Sequence, residues 1–128
     1  MRVDVASLPD SLLTLAGAIH AAGLDLVVEL ITDDIRVPIF RATIIDRSFP
    51  TGAGPDLRVF PGLGCDPNAT IALARAITEA AQSRLAIIQG ARDSYNRRPV
   101  SRRSATHTAR RAILEKATGI AFGAIETF

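Results

Sequence analysis

The stretch that decides the fold is GLGCDPNATIALARAITEAAQSRLAIIQGARD, residues 62–93, a glycine-rich turn followed by a long, alanine-rich apolar segment. Asp66 can accept hydrogen bonds from the first free backbone amides of a helix, and Pro67 supplies the preset φ of a first helical residue. The next helix breaker is Gly90. The sequence therefore predicts a helix over residues 67–89, about 34 Å long at 1.5 Å per residue.

The predicted helix has two different sides. At 100° per residue one broad arc is apolar and should face a core; it comprises Leu73, Ile77, Ala80, Ile87 and Ile88. The other side carries Arg75, Glu79 and Gln82 among small residues, which leaves room for a ligand or for a closely packed backbone. The alternative is that Glu79 only pairs with Arg75 on a solvated face, a contact worth about 0.2–0.5 kcal/mol.

Arg84 is unusual because the same projection places it within the apolar arc. Burying an unpaired guanidinium is costly, so this position indicates a carboxylate, a phosphate or a set of carbonyls opposite. The alternative is that the alkyl part packs while the charged head reaches water.

Length and composition limit the class of protein. A chain of 128 residues with 48% apolar residues predicts one globular domain with a real core. No apolar run is long enough to span a membrane and the start has no apolar signal core, so we expect a cytoplasmic protein. The lone Cys65 excludes an internal disulfide framework.

The charge is unevenly distributed. Residues 1–91 carry seven arginines against ten acids, whereas residues 92–128 carry eight basic residues against three acids. Residues 92–111 contain seven arginines and little apolar content, which is typical of a segment that does not order by itself. We therefore predict a domain over residues 1–94 and a basic, partly disordered tail over residues 95–128, with a short helix over about 106–117.

Shorter patterns give the remaining elements. Residues 8–22 predict an amphipathic helix that ends at Gly23. Apolar and β-branched runs predict strands over residues 25–31, 37–45 and 56–61, with residues 62–64 connecting the third strand to the long helix. The fold class is α+β, a small antiparallel sheet with helices packed on one face.

The sequence resembles the YcaO family over about residues 8–94. The resemblance is carried by GLGCDPN (62–68), ALARAITEAAQSRL (72–85), GARD (90–93) and the strand VPIFRATIID (37–46). It implies activation of a peptide backbone amide by ATP and Mg²⁺, for azoline or thioamide formation. It also implies a precursor peptide or protein substrate and a TfuA-type partner.

The resemblance also suggests site residues. The family's Glu-x-x-Glu-x-x-Gln element falls on Ala76, Glu79 and Gln82, so the first acid is absent here. Glu79 would hold the magnesium ion of the nucleotide with Gln82 beside it. Arg84 would contact phosphate or stabilise the structure, and Arg75 joins the cofactor-binding set.

A second acidic element of the family, Ser-x-x-Glu-x-x-Glu-Arg, does not occur in this sequence. We therefore expect a fragment, a degenerate paralogue or a subunit that needs a complementary YcaO half, and an inactive isolated chain. Two alternatives remain. One is a binding module whose arginine-rich segment docks on an acidic partner, nucleic acid being a less favoured partner; the other is a homo-oligomer formed through bare apolar surface.

Overall fold

The computed structural model describes residues 1–31, 36–49, 59–89 and 121–125. Two helices and three strands dominate these segments. In chain order they are α1 (Asp10–Ala21), β1 (Asp25–Leu30), β2 (Ile39–Ile45), β3 (Val59–Cys65) and α2 (Ala69–Gln89), with single 3₁₀ turns at Val5–Ser7 and Phe122–Ala124. This confirms the predicted α+β class.

The three strands form one antiparallel sheet in the order β1-β2-β3. Directly opposed residues share a face, so the register assigns the even-numbered strand residues to one side. That side supplies much of the core: Val28, Leu30, Phe40, Ala42, Ile44 and Phe60. Leu12 of α1 belongs to the same buried cluster as Leu73 and Ile77 of α2, so both helices share this core.

The backbone of α2 packs directly on β3. A Cβ atom added to Gly62 would collide with the backbone of Ala76 and Ala80, and one added to Gly64 would collide with the backbone of Ala72 and Ala76. All three alanines are fully buried. The small-residue side of the helix therefore accommodates a closely packed backbone, one of the two possibilities left open by the sequence.

β3 extends further than predicted. Residues 62–64 belong to the strand, which continues to Cys65, whereas the sequence suggested a connection there. Glycine is needed at these two strand positions because only a residue without a side chain fits beneath the helix. β2 begins two residues later than predicted, at Ile39, because Pro38 has no N–H to donate to a neighbouring strand.

α2 also begins two residues later than predicted. Asp66 accepts a hydrogen bond from Asn68 N at 2.9 Å, which forms a turn before the helix. Asn68 Oδ1 then accepts from Thr70 N at 2.9 Å and Ile71 N at 3.2 Å. The predicted capping role of Asp66 therefore belongs to Asn68.

Asn68→Ala should lower the free energy of unfolding by about 1 kcal/mol, because two amides at the start of α2 lose their acceptor. Urea denaturation followed by circular dichroism would measure the change. Asn68→Asp, which keeps the acceptor, is the control and should unfold close to wild type; equal losses in both variants would contradict the capping role.

α1 ends as predicted at Gly23, which has a φ of +73°. Gly23 N donates to His20 O at 2.9 Å and Leu24 N donates to Ile19 O at 3.2 Å. Glycine adopts this left-handed conformation without a steric penalty, and the turn leads the chain directly into β1.

The C-terminal segment returns to the core. Phe122 is 1% exposed and stacks on Phe40 with ring centroids 5.9 Å apart, and its backbone N donates to Ser7 Oγ at 2.7 Å. Ile125 is buried as well. Residues 121–125 thus pack against β2 and the turn at Val5–Ser7, while the predicted helix over 106–117 lies outside the described residues. The division at residue 94 stays a prediction.

Residues 1–3 run antiparallel to β1. Val3 N donates to Val28 O at 2.9 Å, Leu30 N donates to Met1 O at 2.7 Å, and an isolated bridge joins Arg2 to Glu29. This segment covers the β1 edge of the sheet. Among the described helices none is long and apolar enough to cross a membrane.

Candidate functional site

The candidate site lies where α2 passes the outer edge of β3, the last strand in the sheet order. Polar side chains one helical turn apart each bond a backbone group of this edge. We call these contacts the edge ladder: Arg75 Nη1 donates to Cys65 O at 3.1 Å, Leu63 N donates to Glu79 Oε2 at 3.3 Å, and Ser83 Oγ donates to Pro61 O at 3.0 Å.

The edge ladder suits the chemistry of the strand. Alternate residues of a strand direct their backbone groups to the same side, so Pro61 and Leu63 both face outwards. Pro61 has no N–H, and a proline in a sheet is confined to such a position. Side chains of α2 therefore form hydrogen bonds with backbone groups of β3 to which another strand could otherwise pair.

Glu79 is the central member of the ladder. Its side chain is exposed on an unbroken helix, and Oε2 is held by the Leu63 amide. A carboxylate fixed at one oxygen by a backbone N–H has a defined orientation, which is what a ligand for a hard cation requires.

Arg75 does not pair with Glu79. Its guanidinium bonds Asp66 Oδ2 at 3.0 Å as well as Cys65 O. An arginine placed four residues before a glutamate is the less favourable order of such a pair, because it opposes the helix dipole. The alternative of a simple Arg75–Glu79 surface pair is therefore wrong.

Gln82 and Ala76 differ in their surroundings. Gln82 is exposed three residues after Glu79, so both side chains leave the same side of the helix. Ala76, where the family's first acid would stand, is completely buried over Gly62 and Gly64. At residue 76 the helix therefore lies directly against the sheet.

Arg84 has the buried carboxylate partner that its position indicated. Its Nε and Nη2 donate to Asp46 Oδ2 at 3.1 and 2.7 Å. Ser48 N and Ser48 Oγ donate to the other oxygen, Oδ1, at 3.1 and 2.9 Å. Asp46 is 2% exposed and is the buried charged residue of the described segments.

The pKa of Asp46 reflects these contacts. Burial by itself raises the pKa, but the hydrogen bonds from Arg84 and Ser48 and the charge of Arg84 outweigh it and hold the pKa below its usual value. Asp46 is therefore ionised near neutral pH and forms a full ion pair with Arg84.

The described residues fit one part of a magnesium site. Mg²⁺ prefers oxygen ligands and is usually held by one or two carboxylates together with phosphate oxygens and water. Glu79 offers such an oxygen at the surface, but within the described segments no three His, Cys, Asp or Glu side chains group together as a metal site. Further ligands would have to come from elsewhere.

Comparison with known proteins identifies the family. The model of the YcaO cyclodehydratases, described as binding ATP and Mg²⁺, matches residues 1–124. The chain belongs to the YcaO family. This YcaO match extends beyond the resemblance in the sequence, which covered about residues 8–94, and it includes Phe122, which packs on Phe40.

A curated relative comes from Rhizobium leguminosarum bv. trifolii, an uncharacterised protein in the tfuA 3′ region. It is 40% identical to this YcaO chain over 101 residues. The match covers 76% of the chain and 24% of the relative, so the chain spans about a quarter of that protein's length.

Two solved structures share the YcaO fold. The heterocyclase TruD matches with a TM-score of 0.56 and 24% identity, over 79% of this chain and 14% of TruD. A heterocyclase in complex with substrate and cofactor matches with a TM-score of 0.51 and 28% identity, over 62% of this chain and 10% of that one. Both contain a unit with this arrangement as a small part of a longer chain.

Sequence reasoning missed three participants in this region. Ser83 is one of the small residues beside Arg75, Glu79 and Gln82; it lies eight residues after Arg75 and so continues the ladder. Leu63 takes part through its backbone, which leaves no side-chain signal. Asp46 directly follows a predicted strand, and a lone acid at that point was the available signal.

Proposed function

We propose that this chain forms part of a YcaO-type site that uses ATP and Mg²⁺ to activate peptide backbone amides, with Glu79 as the magnesium ligand contributed by α2. The observation that carries the proposal is the Glu79 carboxylate, exposed on α2 and held at Oε2 by the Leu63 amide. Family membership supports the choice of cofactor.

The residues have separate roles in this proposal. Glu79 provides negative charge and an oxygen ligand, and Gln82 lies beside it on the same exposed side. Arg75 flanks the site, although its guanidinium is engaged by Asp66 and Cys65 O, and binding a phosphate would require it to share those bonds. Arg84 is bonded to Asp46, which supports a structural role over a phosphate contact.

Bound Mg-ATP would supply the phosphoryl group that makes an amide oxygen a leaving group, for azoline or thioamide formation. The protein's part in such chemistry is mainly positioning and neutralisation of charge. A site of this kind needs carboxylates and hydrogen-bond donors rather than a nucleophile, and the exposed side of α2 offers one carboxylate, Glu79, and the side-chain amide of Gln82.

The proposal includes partners. We expect a precursor peptide or protein as substrate and a TfuA-type protein or a complementary YcaO half as the partner that supplies the remaining ligands. The position of the Rhizobium relative in the tfuA region supports the TfuA-type partner. Homo-oligomerisation and residence in the cytoplasm stay predictions, and the arginine-rich segment 92–111 lies outside the described residues.

Calorimetry tests the proposal. The chain alone and the chain mixed with a TfuA-type protein would be titrated with Mg-ATP, and we expect binding at least in the mixture. Glu79→Gln should weaken it about tenfold or more, because removing a metal ligand costs no less than removing an outer-shell partner.

Glu29→Gln is the matched control, since Glu29 pairs with Arg41 on the opposite face of the sheet from α2. This variant should bind Mg-ATP like the wild type. Absence of binding in both samples, or equal binding by Glu79→Gln and wild type, would refute the proposed site.

A further inference from the structure

The Asp46–Arg84 ion pair ties the second half of α2 to the end of β2. The buried residues of α2 end at Ala80, and beyond it Ile87 and Ile88 are only half-buried. Apolar packing therefore holds the first half of the helix firmly and the second half weakly. Two polar contacts hold that second half: Ser83 donates one hydrogen bond to Pro61 O, and Arg84 donates two to a buried carboxylate. The ion pair of Arg84 is the buried and charged one of the two.

The anchor point itself is well defined. Asp46 uses one oxygen for Arg84 and the other for the backbone and hydroxyl of Ser48. A carboxylate held at both oxygens in a buried position has little freedom to turn. Arg84 is therefore attached to a fixed point of the sheet, and it lies about 7.5 Å along the helix axis from Glu79.

The contact between Glu79 and the sheet depends on the rotation of α2. Leu63 N and Glu79 Oε2 are 3.3 Å apart, near the upper limit for a hydrogen bond. Glu79 lies where the firmly packed half ends, next to Ala80, so a small rotation of the second half of α2 would reach its side chain and alter this contact. The contact is thus a sensitive measure of how α2 is seated.

We propose that Asp46 is a positioning residue, which acts through Arg84 to set the rotation of α2 and so the direction in which Glu79 projects. The value of this position for nucleotide binding rests on the proposed function. The position of α2 on the sheet does not depend on the proposed function, so the position of the helix and the binding of nucleotide can be tested separately.

The amide resonance of Leu63 in a ¹H–¹⁵N NMR spectrum reports the seating without any ligand. The Glu79→Gln variant shows how the Leu63 resonance moves when its hydrogen-bond acceptor, the Glu79 carboxylate, is altered. In Asp46→Asn and in Arg84→Met the Leu63 resonance should move away from its wild-type position, because the contact with Glu79 lengthens. Arg84→Lys, which keeps a charged donor, should restore part of the wild-type position.

Two controls separate positioning from loss of stability or charge. Arg47 lies next to Asp46, and Arg47→Met removes its exposed ion pair with Asp25. Leu12→Val makes a buried side chain of α1 smaller and so weakens the core. Neither should move the Leu63 resonance. A wild-type Leu63 resonance in both Asp46→Asn and Arg84→Met would overturn the inference, as would an equal displacement in Leu12→Val.

Titration of the same variants with Mg-ATP then addresses the site. Asp46→Asn and Arg84→Met should weaken binding about tenfold, the lower end of the cost of losing an outer-shell partner, while Arg47→Met binds normally. If wild type binds no Mg-ATP even with a TfuA-type protein, the proposed function fails while the Leu63 resonance still decides the positioning. If wild type binds and both anchor variants bind equally well, the link from Asp46 to the site is refuted.

Discussion

Gly64→Ala is expected to lower the free energy of unfolding by about 3 kcal/mol or more, the upper end of the usual range for an overpacked position. The new Cβ atom would meet the backbone carbonyl of Ala72 and would lie 2.6 Å from the backbone N of Ala76. Backbone atoms cannot move aside by changing a rotamer. The helix would have to lift from β3, on which its backbone packs directly.

Urea denaturation monitored by circular dichroism would measure this effect. Gly17→Ala is the matched control, because a Cβ atom there meets nothing within 4 Å and the residue is exposed on α1. That variant should gain up to about 1 kcal/mol from helix propensity. A Gly64→Ala protein as stable as Gly17→Ala would show that the helix does not lie this close to the strand.

Arg84→Met is expected to cost about 3 kcal/mol, because it leaves the carboxylate of Asp46 buried without its cation. We place the effect at the lower end of the range for buried pairs since 31% of the Arg84 side chain is exposed. Arg47→Met removes an ion pair whose arginine is 79% exposed and should cost well under about 1 kcal/mol. Equal costs in the two variants would contradict a buried anchor.

The pH dependence gives a second measure of the same pair. Folding lowers the pKa of Asp46, so the pair contributes stability above the unfolded-state pKa of about 3.9 and loses it as the pH falls through the folded-state value. In Arg84→Met burial acts on the carboxylate without the compensating guanidinium, and its pKa should rise. The stability difference between wild type and Arg84→Met should therefore shrink on acidification below about pH 4; a difference that grows would reverse the assigned sign.

The sequence was informative where a side chain's own chemistry demanded a partner. Arg84 lies on an apolar arc, and the cost of burying a lone guanidinium predicted a partner, which the structure supplies as Asp46. The identity of that partner was not predictable, because Asp46 is 38 positions away along the chain and meets Arg84 only through the packing of α2 on the sheet.

The glycines show the opposite case. Closely spaced glycines such as Gly62 and Gly64 are also typical of a turn, so local propensity favoured a connection there. The distinguishing feature is the spacing of their partners, since alanines at positions 72, 76 and 80 recur once per helical turn while the glycines recur every second residue. Small residues in both periods indicate a helix lying on a strand, but only the packed arrangement shows that the two sets meet.

The candidate site was predictable in part. Helical projection placed Glu79 and Gln82 together on an exposed side, as the structure has them. The support of Glu79 by a backbone amide was not predictable, because every residue has such a donor and only the three-dimensional fold decides which one is near. The same holds for Ser83, whose acceptor is the carbonyl of Pro61.

Both borders of the sheet already have hydrogen-bonded neighbours: residues 1–3 beside β1, and the edge ladder beside β3. A peptide that binds by β-augmentation would have to displace one of them. Displacing the ladder would release Glu79 from the Leu63 amide. Displacing residues 1–3 would leave this carboxylate in place. Under the proposed function, a peptide that keeps Glu79 fixed would therefore either pair with the β1 border or bind across a face of the sheet, where selection depends on side-chain contacts more than on main-chain pairing.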